Sequence, residues 1–338
     1  MIIMTVGMVG CSSDNQTTKT ITTSDKLEAV ASSSILCDLT QQIAQDTVEL
    51  TCLMDPEQDP HTYNITPSAR KAMETAALIL YSGYELAPVI EGVVEAMDTP
   101  APKIAVYEEA VPEPLLAEHH HHHEEEEHDH HEEEEHAHEG EHEHEEEEKV
   151  ANKEELEPDP HVWHNVQNSV AIVEVIEAKL AEVNPEQAQL YAENAKQLKG
   201  QLGKLDAWVK QQVATIPAGQ RTLVTTHDAF NYYIQAYGFE NSEALQGVST
   251  DEKPTAARVK ELVAKVKASN VPTIFAEATA NDQVIGTVAR EVGLKISEQK
   301  LLSDALGAEG SDSGTYIGMI ATNTCTIVNG LGGKCTPF

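Results

Sequence analysis

Short apolar runs alternate with amphipathic stretches along most of this chain, and the alternation is broken once by a single long helical pattern over residues 185–213. Leu190, Leu198, Leu202, Leu205 and Val209 fall there at helical spacing, with Pro185 at the start and Pro217 past the end. About thirty residues rising 1.5 Å each make a rod of roughly 45 Å, long enough to run the height of a pair of domains. Before the rod, strands are expected at 26–31, 48–53, 77–81 and 103–107. Helices are expected at 34–45, from Thr66-Pro67-Ser68 onward, and at 165–180. After the rod, strands at 221–226, 273–277 and 294–296 alternate with helices at 255–268, 282–292 and 315–328. Strands separated by helices specify parallel sheets covered by helices, and 338 residues exceed one ordinary core. The expected fold class is therefore α/β, with two β/α lobes joined by one rigid helix. Its N-terminal lobe spans residues 26–184, the linker helix 185–216 and the C-terminal lobe 217–338.

Inside the first lobe lies a stretch that cannot contribute to any core. Residues 118–148 hold twelve of the sixteen histidines and seventeen acidic residues, with no lysine or arginine. Such a segment has no apolar surface to bury, so it is expected to be disordered and solvated. An acidic linker would account for the glutamates but not for the histidines. Imidazole and carboxylate together suit borderline divalent ions, and imidazole suits zinc, copper and nickel far better than calcium or magnesium. The formal net charge of the chain is −35, and this stretch supplies about half of it. That balance repels nucleic acid and attracts cations. No apolar run approaches the ~20 residues that a membrane-spanning helix needs.

Residues 1–10 are apolar and small, and a polar tract follows Cys11. The pattern is similar to a bacterial lipoprotein cleavage box with Cys11 as the lipidated residue, which places the expected location in the periplasm or cell envelope. The apolar run is short and lacks a basic start. The other cysteines are Cys37, Cys52, Cys325 and Cys335, none in a Cys-x-x-Cys pair. In an exported protein the natural pairings are local, Cys37–Cys52 and Cys325–Cys335; buried free thiols are the alternative.

Four histidines lie outside the His/Glu stretch, and three of them sit at or beyond the C-terminal ends of expected strands, the rim where open parallel sheets bind ligands. His61 and His161 share one tripeptide, Asp59-Pro60-His61 and Asp159-Pro160-His161, and His227 ends a strand in Thr225-Thr226-His227-Asp228. The prolines stiffen both loops. A nearby aspartate can accept a hydrogen bond from the ring nitrogen that faces away from a metal. His164 is expected on the surface or behind the ligands. Glu277, at the same rim, is a weaker candidate that would otherwise face solvent.

These motifs resemble the solute-binding proteins of metal-specific ABC importers (the cluster A-I, or cluster 9, lipoproteins), on the zinc-uptake branch. The resemblance covers about residues 26–331. It rests on Asp-Pro-His-Thr-Tyr-Asn-Ile-Thr-Pro-Ser from Asp59, Asp-Pro-His-Val-Trp-His-Asn from Asp159, Thr-Thr-His-Asp-Ala-Phe-Asn-Tyr-Tyr from Thr225, and Asp304-Ala305-Leu306-Gly307 with Thr315-Tyr316. It implies two lobes bridged by a long helix, with one ion in the cleft between them. It also implies that His61, His161 and His227 are ligands, with Asp304 or a water completing the set. Zinc relatives with Glu before the first histidine differ here, since Pro60 stands in that place.

The expected cargo is Zn²⁺, because three imidazoles and one oxygen make a tetrahedral site rather than a hard-ion octahedron. The expected partner is a membrane permease, with no nucleic acid involved, and the expected state is a monomer held to the membrane only through Cys11. Three other readings exist: a manganese or iron binder of the same family, a periplasmic zinc buffer, and a zinc hydrolase. The last would need an open coordination position and a His-Glu-x-x-His motif on a stable helix; His138-Glu139-Gly140-Glu141-His142 has the spacing but lies inside the His/Glu stretch, where no stable helix is expected.

Overall fold

The computed structural model describes residues 26–118 and 156–338. Cys11 and the His/Glu stretch from residue 119 onward lie outside the described residues.

The N-terminal lobe runs β1 (Leu27–Ala31), α1 (Ser34–Ala44), β2 (Val48–Cys52), α2 (Pro67–Thr75), β3 (Leu78–Tyr81), α3 (Pro88–Ala96), β4 (Lys103–Ala105) and α4 (Val106–Ala110). Its four strands form one parallel sheet in the order β2-β1-β3-β4. Side-chain caps begin the helices where the sequence offers them. Ser33 Oγ accepts the Leu36 N–H at α1, and Thr66 Oγ1 accepts the Ala69 N–H at α2, ahead of Pro67 in the first turn. The apolar run at 103–107, expected as one strand, turns helical after three residues. Val106 and Tyr107 are both fully buried, and the Tyr107 ring packs on Trp163 at 5.3 Å between centroids. Periodicity alone does not separate a short buried strand from a buried helical turn.

Two short strands, β5 (Leu116–Glu118) and β6 (Leu156–Pro158), then pair antiparallel, with Glu118 opposite Leu156. Residues 118 and 156, far apart in the chain, therefore stand side by side. α5 (Val166–Val183) follows, and α6 (Ala188–Val213) is the expected rod, preceded by a single 3-10 turn at Pro185–Gln187. Leu198, Leu202, Leu205 and Val209 are buried along one face of α6 with Tyr191, while Leu190 is half-buried.

Beyond α6 come β7 (Thr222–Thr225), α7 (Asn231–Tyr237), β8 (Asn241–Ala244), α8 (Ala256–Ala268), β9 (Thr273–Ile274), α9 (Gln283–Val292), β10 (Lys295–Ile296) and α10 (Tyr316–Gly330). β7 pairs with β8, and β9 with β10, all parallel. The Phe275 N–H donates to the Val224 carbonyl at 2.9 Å and joins the two pairs. The strand expected over 273–277 is regular only at Thr273–Ile274, although Glu277 still bridges Leu301 in parallel.

The largest apolar core is continuous across the lobes. It runs from Ile35 and Leu39 on α1, through Ile172 and Ile176 on α5 and the buried face of α6, to Phe230, Phe275 and Met319. Helix α10 also touches the first lobe directly, where the Tyr316 N–H donates to Asp38 Oδ2 at 2.8 Å. Such a core, close-packed like any protein interior, resists a wide opening of the cleft. Cys37–Cys52 and Cys325–Cys335 are both disulfides, at Cα separations of 5.8 and 5.1 Å. Among the described residues no helix is long and apolar enough to cross a membrane.

Candidate metal centre

The loop after β2 carries His61, and its shape follows from Asp59. One Asp59 oxygen accepts the His61 backbone N–H at 3.0 Å, an aspartate turn made stiffer by Pro60. The other accepts the Thr62 hydroxyl at 3.1 Å and the Thr250 hydroxyl of the opposite lobe at 2.6 Å. The loop after β6 repeats the turn: Asp159 Oδ1 accepts the His161 backbone N–H at 3.0 Å. There the same oxygen also takes His161 Nδ1 at 2.8 Å, which fixes the ring with Nε2 facing the cleft.

His227 follows β7, and its neighbour in sequence does not hold it. Asp228 is turned to Asn231, whose side-chain amide donates to Oδ2 at 3.0 Å. The carboxylate behind His227 is Glu277, fully buried rather than solvent-facing. Glu277 Oε1 accepts the backbone N–H groups of Thr226 and His227 at 2.8 and 2.9 Å, and Oε2 contacts His227 Nδ1. With Nδ1 facing a carboxylate in both His161 and His227, Nε2 is the nitrogen that each ring turns toward Asp304.

The four residues expected as ligands converge. One ligand atom from each of His61, His161, His227 and Asp304 lies within 4.8 Å of all the others, and all four residues are buried. His161 Nε2 and His227 Nε2 are 3.4 Å apart, and each is 3.3 Å from Asp304 Oδ1; His61 Nε2 is 3.8 Å from the same oxygen. A tetrahedral ion with bonds of 2.0–2.1 Å sets its ligand atoms about 3.3–3.4 Å apart, so three of these four edges already have that length. Among the described residues His61 Nε2 and Asp304 Oδ1 have no hydrogen-bond partner although both are buried, an arrangement that costs free energy until something fills the shared point.

The electrostatics follow from this crowding. Burial alone would depress both His161 and His227, but Asp159 and Asp304 raise His161, and Glu277 and Asp304 hold His227 well above the ordinary imidazole value. His61, with no carboxylate of its own behind the ring among the described residues, is lowered by burial, which Asp304 only partly opposes. Burial would raise Asp304, yet the surrounding imidazoles keep it well below the usual carboxylate range.

His164 does not join the four-residue cluster and is not on the surface. It is fully buried, stacks on Phe230 at 4.4 Å, and places Nε2 2.9 Å from the Ser303 carbonyl; burial pushes its pKa down to about 3. Trp163 Nε1 donates to the same carbonyl at 3.1 Å. Thr279 and Ser303, which touch Asp304, carry no signal in the sequence. Hydroxyl residues are common in loops, and only the fold brings these two together.

Two α/β lobes on one continuous core, with four converging donors between them, define a two-lobed metal-binding protein. The chain belongs to the ZnuA family, described as zinc-uptake complex component A periplasmic, whose match covers residues 29–330. It is thus the substrate-binding protein of a metal ABC transporter, works outside the cytoplasmic membrane and is not an enzyme. It is 30% identical over 335 residues to the manganese-binding lipoprotein MntA of Bacillus subtilis (strain 168), covering 98% of this chain and 97% of that one. It is 31% identical over 307 residues to the zinc-binding protein TroA of Treponema pallidum (strain Nichols), covering 89% and 88%. The solved structure of the periplasmic zinc-binding protein TroA from Treponema pallidum superimposes with a TM-score of 0.76 at 30% identity, over 90% of this chain and 99% of that one.

Proposed function

We propose that this chain captures Zn²⁺ in the cleft with His61, His161, His227 and Asp304 and delivers it to the permease of an ABC importer. The observation that carries the reading is the donor set with its spacing. Three imidazole nitrogens and one carboxylate oxygen stand at or near tetrahedral edge lengths, and zinc takes four such donors without penalty. A harder ion such as manganese favours oxygen ligands and six-fold coordination, of which this cluster supplies one oxygen. Manganese is the second reading, supported by the resemblance to a protein named as manganese-binding.

The deciding experiment is metal analysis of protein purified without a tag, followed by competition between Zn²⁺ and Mn²⁺. Zinc bound at one tight site, and lost on alanine substitution of His61, His161 and His227, supports the proposal. Manganese retained against equimolar zinc overturns it. The division into an N-terminal lobe (26–184), linker helix (185–216) and C-terminal lobe (217–338) belongs to this proposal, as does a lipid anchor at Cys11. The same holds for a supply role of the His/Glu stretch, which would bind zinc weakly near the cleft. Deleting residues 118–148 should leave one tight site and remove weak ones; unchanged stoichiometry would refute that role.

A further inference from the structure

The two oxygens of Asp304 face different surroundings. All three imidazole Nε2 atoms approach Oδ1, at 3.3, 3.3 and 3.8 Å. The other oxygen, Oδ2, accepts two hydroxyl hydrogen bonds, from Thr279 Oγ1 at 2.7 Å and from Ser303 Oγ at 2.8 Å. The hydroxyls are themselves 3.2 Å apart. We propose that Thr279 and Ser303 set the metal preference of the cleft by holding Asp304 as a one-oxygen ligand, which caps the site at four donors. This rests on the reading of the four-residue cluster as the zinc site.

A carboxylate that offers both oxygens to one ion raises the coordination number to five, which suits larger, harder ions better than zinc. For Asp304 to do so, Oδ2 would have to swing toward the ion and give up two short hydrogen bonds in a buried place. A charged acceptor bonded to a hydroxyl is among the stronger pairings in a protein, and at a fully buried carboxylate that loss is not made good by bulk solvent.

The hydroxyls are also firmly placed. Thr279 stands two residues after Glu277, the residue that orients His227, and the Ala278 N–H donates to the Leu301 carbonyl at 2.9 Å, tying its loop to the one that carries Ser303. The Ser303 carbonyl is gripped from the other lobe by Trp163 Nε1 and His164 Nε2 at 3.1 and 2.9 Å. Buried His164, which is not a ligand, thereby helps to fix the peptide from which both Ser303 Oγ and Asp304 project.

The test uses Co²⁺ as a spectroscopic probe in the full-length protein, together with the ratio of Zn²⁺ to Mn²⁺ affinity. Wild type should give the intense visible bands of four-coordinate cobalt. The double variant Thr279→Val with Ser303→Ala should give the weaker bands of a five- or six-coordinate ion, and its preference for zinc over manganese should fall by about tenfold or more, the scale seen when partners behind a ligand are removed. Thr279→Ser, which keeps the hydroxyl, should restore both readouts. Circular dichroism of the metal-free variants separates a change at the site from a failure to fold, and single Ser303→Ala gives an intermediate spectrum if the two hydroxyls act together. A double variant that stays four-coordinate with an unchanged metal ratio overturns the proposal and leaves the zinc reading standing. Wild-type protein that prefers manganese overturns the zinc reading itself.

Discussion

Asp59-Pro60-His61 and Asp159-Pro160-His161 are the same three residues in the same order, and both begin with an aspartate accepting the backbone N–H of its histidine at 3.0 Å. From there they diverge. In the second, the aspartate is fully buried and also holds the histidine ring. In the first, the aspartate is half-buried and spends its other oxygen on Thr62 and on Thr250 across the cleft. His161 is therefore a ring fixed in direction by a hydrogen bond, whereas among the described residues the His61 ring has no such bond and only packs against the rings of His161 and His227. The His61–Asp304 separation, 3.8 Å against 3.3 Å for His161, points the same way. On the proposed reading of the cluster as a metal site, one motif would serve as a fixed jaw and the other would close the last few tenths of an ångström.

The largest effect should come from deleting the fixed jaw. A four-ligand zinc site worth about 10–16 kcal/mol in all assigns roughly 3 kcal/mol to each ligand. His161→Ala should then weaken Zn²⁺ binding by about 100-fold or more, measured by competition with a chromophoric chelator. It also leaves Asp159 buried without its ring partner, so the metal-free variant should melt earlier than wild type. His61→Ala should weaken binding less, by about tenfold, since that ring is not held in direction and its place can be taken by water. Equal losses in the two variants would break the comparison.

The next effect tests the hydrogen bond behind the ring. Asp159→Ala should lower zinc affinity by about 10–100-fold, the usual scale for the partner that orients a metal-binding imidazole. Asp59→Ala should cost clearly less, because Asp59 orders a loop and not a ring. Calorimetric titration of the two variants at one pH reads the difference directly. A greater loss from Asp59 would show that loop order, and not ring direction, dominates the site.

Much of this comparison is legible in the residues alone, and the exceptions have physical causes. His61 and His227 stand out because each falls beyond an apolar run, and His161 because it repeats the Asp-Pro-His of His61, while every other histidine except His164 is in one stretch. The long helix is legible because five apolar side chains keep register over several turns, a signal that tertiary packing reinforces. Asp304 rests on family resemblance alone, for a single aspartate in a loop has no periodicity to mark it. Glu277 ranks too low by sequence for a related reason. Asp228 is adjacent to His227 in the chain, but the parallel bridge between Glu277 and Leu301 carries Glu277 under the end of β7, and space outranks sequence there. The strand expected over 273–277 is regular only at its first two residues, and the rest stay paired through Phe275 to Val224 and through Ala276, Glu277 and Ala278 to Leu301.

The smallest effect isolates the clasp across the cleft. Thr250 donates to Asp59 at 2.6 Å, and on the same loop the Glu57 N–H donates to the carbonyl of Leu306, two residues past Asp304, at 3.0 Å. These two contacts tie the His61 loop to the opposite lobe, and only the first depends on a side chain. Thr250→Val keeps the shape and removes one hydrogen bond to a charged acceptor, worth about 1.5–3 kcal/mol at most. Much of that will be recovered by water, since both residues are half-buried. The expected result is a few-fold faster release of zinc with capture nearly unchanged, because the clasp acts on a closed loop and not on an arriving ion. Stopped-flow release into excess chelator measures it. If release is unchanged in Thr250→Val while His61→Ala still weakens binding, the Glu57–Leu306 contact and the bond from His61 to the ion are what keep the loop shut.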